Sequence, residues 1–238
     1  MIIFEHFIQK RGNMRNVKNK ISLLLSLLII FFANQGCQNL SKKNLDMNEA
    51  ARTHHARQLL QGDYSKSIAK EFEKDAQFTS YLEKYIRLEN ASLDSEELSK
   101  SILQVSRDYY YDPVFLLAIV KTESQFNPFA IGSAGEIGLM QIKPDTAEWI
   151  CHKKKIEWRG AEALKDPAYN VLVGAVYFHY LKKSLRAKGS HYINAYNMGI
   201  NNLQRLPAEN RSKHPYYDRV LANYHGIYQQ LKKIRQTI

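Results

Sequence analysis

The chain has 238 residues, 45 % of them hydrophobic and 24 % charged, which excludes a disordered chain and a multi-span membrane protein and allows one ordinary domain plus an extension. Its formal charge of +11 favours anionic partners of any kind. With only two cysteines, Cys37 and Cys151, neither a disulfide framework nor a Cys-based zinc site can be built, and Cys151 is expected to be a small buried hydrophobe.

Lys10, Arg11, Arg15, Lys18 and Lys20 precede an uncharged run from Ile21 to Ala33. A basic flank followed by an apolar stretch shorter than the roughly 20 residues of a spanning helix reads as a secretory signal, so residues 1–36 are expected to stand outside the fold. Asn34-Gln35-Gly36-Cys37 then places a cysteine directly after a small residue. This resembles the site at which bacterial lipoproteins are cleaved and lipidated, which makes Cys37 the expected lipidation point and simple secretion the alternative. Export argues against nucleic acid as the anionic partner.

Residues 37–93 are polar, and 50–60 and 68–86 carry spaced apolar residues between long charged ones, the pattern of surface helices with a narrow apolar stripe. Two readings stay open for this segment: a helical spacer on the anchor, or an N-terminal subdomain packed on the rest. Asp94 with Glu97 is a capping pattern, after which Leu98, Ile102, Val105 and Tyr109 recur with helical period. A self-sufficient domain over 94–238 is therefore expected.

Asp112-Pro113 starts a second helix, on which Leu116, Ile119, Val120 and Glu123 share one face, and Pro128 forces its end. Glu123 is then an acid on an apolar face at a C-terminal turn, where burial and the helix dipole both disfavour its charge. Residues 129–143 read as a loop with turns at Gly132, Gly135 and Gly138. Helices are predicted again from Pro144, from Asp166-Pro167 to Lys182, over 191–196 and over 216–235. His152-Lys153-Lys154-Lys155 reads as a solvated helix end, with wall anions or lipid phosphate as the alternative ligand.

Glu123-Ser124, GLMQI at 138–142, AYNMG at 195–199, and Tyr216 with Val220 stand in the order and spacing of the motifs of the lytic transglycosylase domain shared with goose-type lysozyme. The chain resembles that family over about residues 96–234. The resemblance implies a mainly α fold of the α+β lysozyme-like kind, with a small Gly-rich loop or β excursion, and no cofactor or metal. It implies cleavage of the β-1,4 bond between N-acetylmuramic acid and N-acetylglucosamine, ending in a 1,6-anhydromuramoyl product.

Under the same resemblance Glu123 is the catalytic acid and base. Tyr196 holds its carboxyl, Asn197 contacts sugar or fixes the loop, and Tyr216 sits at the base of the site. Met140 and Gln141 line the groove, and Ser124 either bonds near the cleaved linkage or caps the helix. Asp166-Pro167, Asn170 and Gly174 are structural. Glu136 and Ile137 depart from the small or uncharged residues usual there. Glu136, Asp145 and Glu148 are the acids nearest in sequence, so a hydrolytic muramidase stays open, as does a non-catalytic wall-binding protein. The implied partners are peptidoglycan strands and a membrane, and the implied location is the periplasmic face of the outer membrane.

Overall fold

The computed structural model describes residues 49–185 and 189–238. The expected signal segment and Cys37 lie outside the described residues. The described residues form one unit. Its helices are α1 (49–60), α2 (Ile68–Glu71), α3 (Phe78–Glu89), α4 (Ser95–Tyr109), α5 (Pro113–Ser124), α6 (Pro144–Lys154), α7 (Pro167–Leu185), α8 (Gly189–Met198), α9 (Ile200–Arg205) and α10 (Pro215–Arg235). Against them stand only two isolated antiparallel bridges among the described residues, Ile131 with Ile137 and Ile137 with Ile142. The fold is mainly α. None of the described helices is long and apolar enough to cross a membrane.

The centre of the core is α5, which is buried without interruption from Pro113 to Val120. The sequence suggested one apolar face, but a helix that is apolar all round is covered on every side. Its cap shows how it is held: the Asp112 carboxylate accepts from the Val114 N–H at 2.9 Å and from the hydroxyls of Tyr224 (2.6 Å) and Tyr228 (2.9 Å) on α10. Asp112 is fully buried, so those partners replace its lost water. At the other end Gln125 and Phe126 take positive φ, and the chain leaves toward Pro128.

The core does not stop at Asp94. Leu59, Phe72, Leu82 and Ile86 belong to the same buried cluster as α5. His55 Nδ1 accepts from the Asp112 N–H at 3.1 Å while its Nε2 shares a 2.8 Å hydrogen bond with the Tyr192 hydroxyl. The Asn90 amide donates to the Phe126 carbonyl at 2.9 Å, the Tyr85 and Phe126 rings meet edge to face, and Lys121 pairs with Glu89. Asp94 does cap α4, accepting from the Glu97 N–H at 2.9 Å. A helix start is a local event, however, and says nothing about where a core ends. Residues 49–93 thus complete interior polar and apolar groups of 94–238, which speaks for the packed N-terminal subdomain and against the expectation that 94–238 stands alone.

The excursion over 129–143 is pinned from a distance by Asn170 on α7. Its Oδ1 accepts from the Met140 N–H at 2.7 Å, and its amide donates to the carbonyls of Ile137 (2.9 Å) and Leu164 (2.7 Å). Gly138 has φ +81°, and a Cβ there would collide with the Leu164 carbonyl and the Asn170 amide, so only glycine lets the strip come this close. Met140 is fully buried with its thioether against Gly174. Cys151 is buried beside the Tyr169 hydroxyl, and burial raises its thiol pKa, which leaves it inert.

Candidate active site

Glu123 lies on the last turn of α5, half-buried, at the wall of a pocket of about 350 Å³. The opposite wall comes from the excursion, through Glu136, Gln141 and Lys143, and the remainder from Tyr177 on α7 and Tyr196 and Asn197 on α8. Burial pushes the Glu123 carboxyl up to about 7, against a hydrogen bond from Tyr216 and the positive charge of Arg219, and with the negative charge of Glu136 adding to the rise. Its Oε1 accepts from the Tyr216 hydroxyl at 2.5 Å. Oε2 has no hydrogen-bond partner among the described residues. One oxygen is thus fixed while the other is open to a ligand.

The tyrosine that holds Glu123 is Tyr216 on α10, which corrects the expectation for Tyr196. The Tyr196 hydroxyl donates instead to the Met140 carbonyl at 2.7 Å, tying the AYN segment to the GLMQ segment, and its ring stacks on Phe178. Tyr196 still lines the pocket and feels the charge of Glu123, which together with burial raises its hydroxyl pKa well above 10.

Two further residues stand away from the ligand. Ser124 is buried, and its hydroxyl donates to the Leu139 carbonyl at 2.8 Å and to the Val120 carbonyl at 3.1 Å, so of its two expected roles it takes the one at the helix end, which it joins to the excursion. Met140 fills the space beside Gly174 and offers no surface to the pocket. Gln141, in contrast, lines it, with its amide donating to the Ala130 and Gly138 carbonyls at 3.0 and 2.9 Å, and Asn197 lines it as an exposed side chain.

Glu136 lies in the same pocket as Glu123, whereas Asp145 and Glu148 are exposed on α6 and do not line it. Partial burial works against the charge of Glu136. Its own N–H, the Ala134 N–H at 3.0 Å and Lys143 at 3.6 Å outweigh that and hold its pKa below the usual carboxylate range. The pocket therefore contains one carboxyl pushed up and one pushed down. Lys143, Tyr177 and Arg219 went unnoticed in the sequence. Arg219 could have been found, because it lies one helical turn after Tyr216, and its guanidinium is 5.7 Å from that ring. Among the described residues no cluster of His, Cys, Asp and Glu could hold a metal ion.

The Transglycosylase SLT domain family matches residues 100–218, half of the chain, and that stretch contains Glu123, the excursion, the AYN segment and Tyr216. The chain belongs to this family. Among relatives of the SLT domain, the membrane-bound lytic murein transglycosylase C of Mannheimia succiniciproducens is 36 % identical over 116 residues, covering 44 % of this chain and 32 % of its own. The protein of that name from Haemophilus influenzae is 34 % identical over 114 residues, again 44 % and 32 %. The chain thus spans about a third of the length of these relatives. A solved structure, the lytic transglycosylase Slt of Pseudomonas aeruginosa, aligns over 55 % of this chain and 24 % of its own at 24 % identity and TM-score 0.48.

Proposed function

We propose that the chain is a peptidoglycan lytic transglycosylase with Glu123 as its acid and base. The observation that carries this is the Glu123 carboxyl, raised to about 7 at a pocket wall with one oxygen held by Tyr216 and the other open. A group that must first give and then take a proton works best when its pKa lies near the ambient pH. In the first step the Glu123 proton goes to the glycosidic oxygen, the C1–O bond breaks, and the substrate's N-acetyl oxygen closes on C1. In the second, the Glu123 carboxylate takes the C6 hydroxyl proton, and the C6 oxygen displaces the acetamido oxygen from C1. The Glu123 proton is restored and no water is consumed. Asn197 and Gln141 meet sugar hydroxyl and acetamido groups, and Tyr196 supports the wall opposite.

One observation favours a second reading, a hydrolytic muramidase: the ionised Glu136 shares the pocket and is able to activate a water. The two differ by one water in the product. Mass analysis of fragments released from purified sacculi is expected to give anhydro ends. Hydrolysed ends that vanish in Glu136→Gln support the muramidase instead. Glu123→Gln is expected to lower kcat by at least 10²- to 10⁴-fold while glycan binding survives, since the amide keeps the volume and loses only the proton chemistry. A folded Glu123→Gln protein with near wild-type turnover overturns both readings. The location follows the relatives named membrane-bound: a cell-envelope protein held through a lipid on Cys37, checked by comparing the detergent-phase partitioning of wild type and Cys37→Ser.

A further inference from the structure

A row of aromatic rings leads out of the Glu123 pocket. The ring of Tyr196 lies 5.5 Å from that of Tyr177, Tyr177 is stacked parallel to Tyr180 at 6.5 Å, and Tyr180 meets Trp149 edge to face at 4.8 Å. Tyr177 and Tyr180 are three residues apart on α7 and therefore share a face, which Trp149 on α6 extends. Trp149 is 42 % exposed and presents its ring to solvent. These rings form the floor of a second hollow, about 520 Å³, whose rim is Asn201, Asn202 and Arg205 on α9. Tyr177 and Gly199 line both hollows, so the two adjoin.

The charge at its outer end has one sign. Lys153 Nζ lies 5.3 Å from the Trp149 ring centre and 5.4 Å from that of Tyr180, while Arg205 stands on the facing rim. Neither cation has an ion-pair partner among the described residues, and no acid lines this hollow. The basic run after Trp149, which served no purpose in the pocket itself, thus delivers one of its lysines to the platform.

We propose that the Trp149–Tyr180 platform is a remote subsite for the same glycan strand, with Lys153 and Arg205 facing the carboxylates of the strand's peptides or, on sugars without peptide, of the free lactyl groups. The proposal rests on the glycan reading of the Glu123 pocket. The chemistry matches at each point. Aromatic rings pack against the apolar C–H faces of sugar rings, the Asn201 and Asn202 amides reach hydroxyl and acetamido groups, and guanidinium and ammonium groups pair with carboxylate. The shared lining places the platform next to the Glu123 pocket, within reach of a strand that extends beyond the cleaved bond.

Trp149 is one of only two tryptophans, which makes it a reporter of its own occupancy. Peptide-bearing strands added to the Glu123→Gln protein are expected to change the tryptophan emission, and the change to vanish in Glu123→Gln/Trp149→Phe. In the active protein, Trp149→Ala is expected to lower kcat/KM on long strands about tenfold, chiefly through KM, with Trp149→Tyr recovering most of the loss and the shortest cleavable fragment unaffected. Lys153→Ala/Arg205→Ala is expected to weaken binding of peptide-bearing strands and flatten its salt dependence, leaving binding of a chitin oligosaccharide, which carries no carboxylate, within twofold. Equal kcat/KM of Trp149→Ala and wild type on long strands overturns the subsite, and so does an equal loss on long and short substrates, which assigns Trp149 to the fold. If wild-type protein cleaves no strand, the reading of Glu123 fails instead, and the emission titration still decides the platform.

Discussion

Glu123 and Tyr216 form a pair in which the two physical effects on the acid oppose each other. Burial favours the neutral carboxyl, and the Tyr216 hydroxyl, by donating to Oε1, favours the carboxylate. Removing the hydroxyl removes only the second effect. Tyr216→Phe is therefore expected to raise the Glu123 pKa further, so that the alkaline limb of kcat/KM, which reports loss of the protonated acid near pH 7 in the wild type, moves up by about one pH unit while the plateau falls about tenfold. Tyr196→Phe leaves the limb in place, because its hydroxyl binds the Met140 carbonyl and not the carboxyl. A pH profile of each variant checks this. Glu123 itself was legible in the sequence, since an acid on the final turn of an apolar helix is rare without purpose. Which tyrosine holds it was not, because motif spacing brings Tyr196 and Tyr216 to one neighbourhood and only the packing of α8 and α10 decides where each hydroxyl ends. Met140 was misplaced, and the role of Ser124 left open, for the same reason: adjacency to a groove residue in sequence does not give a side chain's direction.

At the scale of elements, the helices could be read because their signals are local. Asp94, Asp112 with Pro113, Pro144 and Asp166 with Pro167 each start a helix at the expected place, through side-chain caps at Asp94, Asp112 and Asp166 and a proline in the first turn of every one but the Asp94 helix. The excursion over 129–143 was legible only as a loop, since its two bridges are held by Asn170, a residue about 30 positions away. Asn170→Ala leaves the Met140 N–H and the carbonyls of Ile137 and Leu164 without their partner in a buried setting. The expected cost is about 2–4 kcal/mol in urea denaturation, with a larger loss of turnover than of glycan binding as Glu136 and Gln141 lose their registration against Glu123. A loss under 1 kcal/mol in that titration means another group takes over the strip.

The described residues share a single core, to which residues 49–93 contribute one flank. A chain beginning at Asp94 lacks His55 against Asp112 and Tyr192, Asn90 against Phe126, and the α3 face that covers α4 and α10. It is expected to be insoluble or to unfold without a cooperative transition, which circular dichroism during heating will read. His55 also gives the fold a pH dependence. Burial, and then the charges of Lys182 and His54, hold its pKa well below the ordinary 6.5, so the unfolded chain takes up a proton that the folded one refuses. Its contribution is complete above about pH 6.5 and is lost as pH falls from there toward the folded value, by on the order of 1 kcal/mol per pH unit at most. The urea midpoint is expected to drop between pH 7.5 and 5, and to drop less in His55→Gln. None of this was legible beforehand, because the apolar stripes of α1 and α3 are equally compatible with a spacer and with a packed flank.

The two ends of α5 are held by the same partner. Tyr224 and Tyr228 of α10 bind Asp112 where α5 begins, and Tyr216 binds Glu123 where it finishes. Local fraying at either end of α5 therefore has to break a hydrogen bond to a buried tyrosine, and separating the two helices breaks all three together. In the language of amide exchange, α5 and α10 belong to one opening unit, whose protons are released only near the free energy of global unfolding. The carboxyl proposed to do the chemistry is thereby mounted on a pair of helices expected to open last, and heat inactivation should follow loss of the fold rather than precede it.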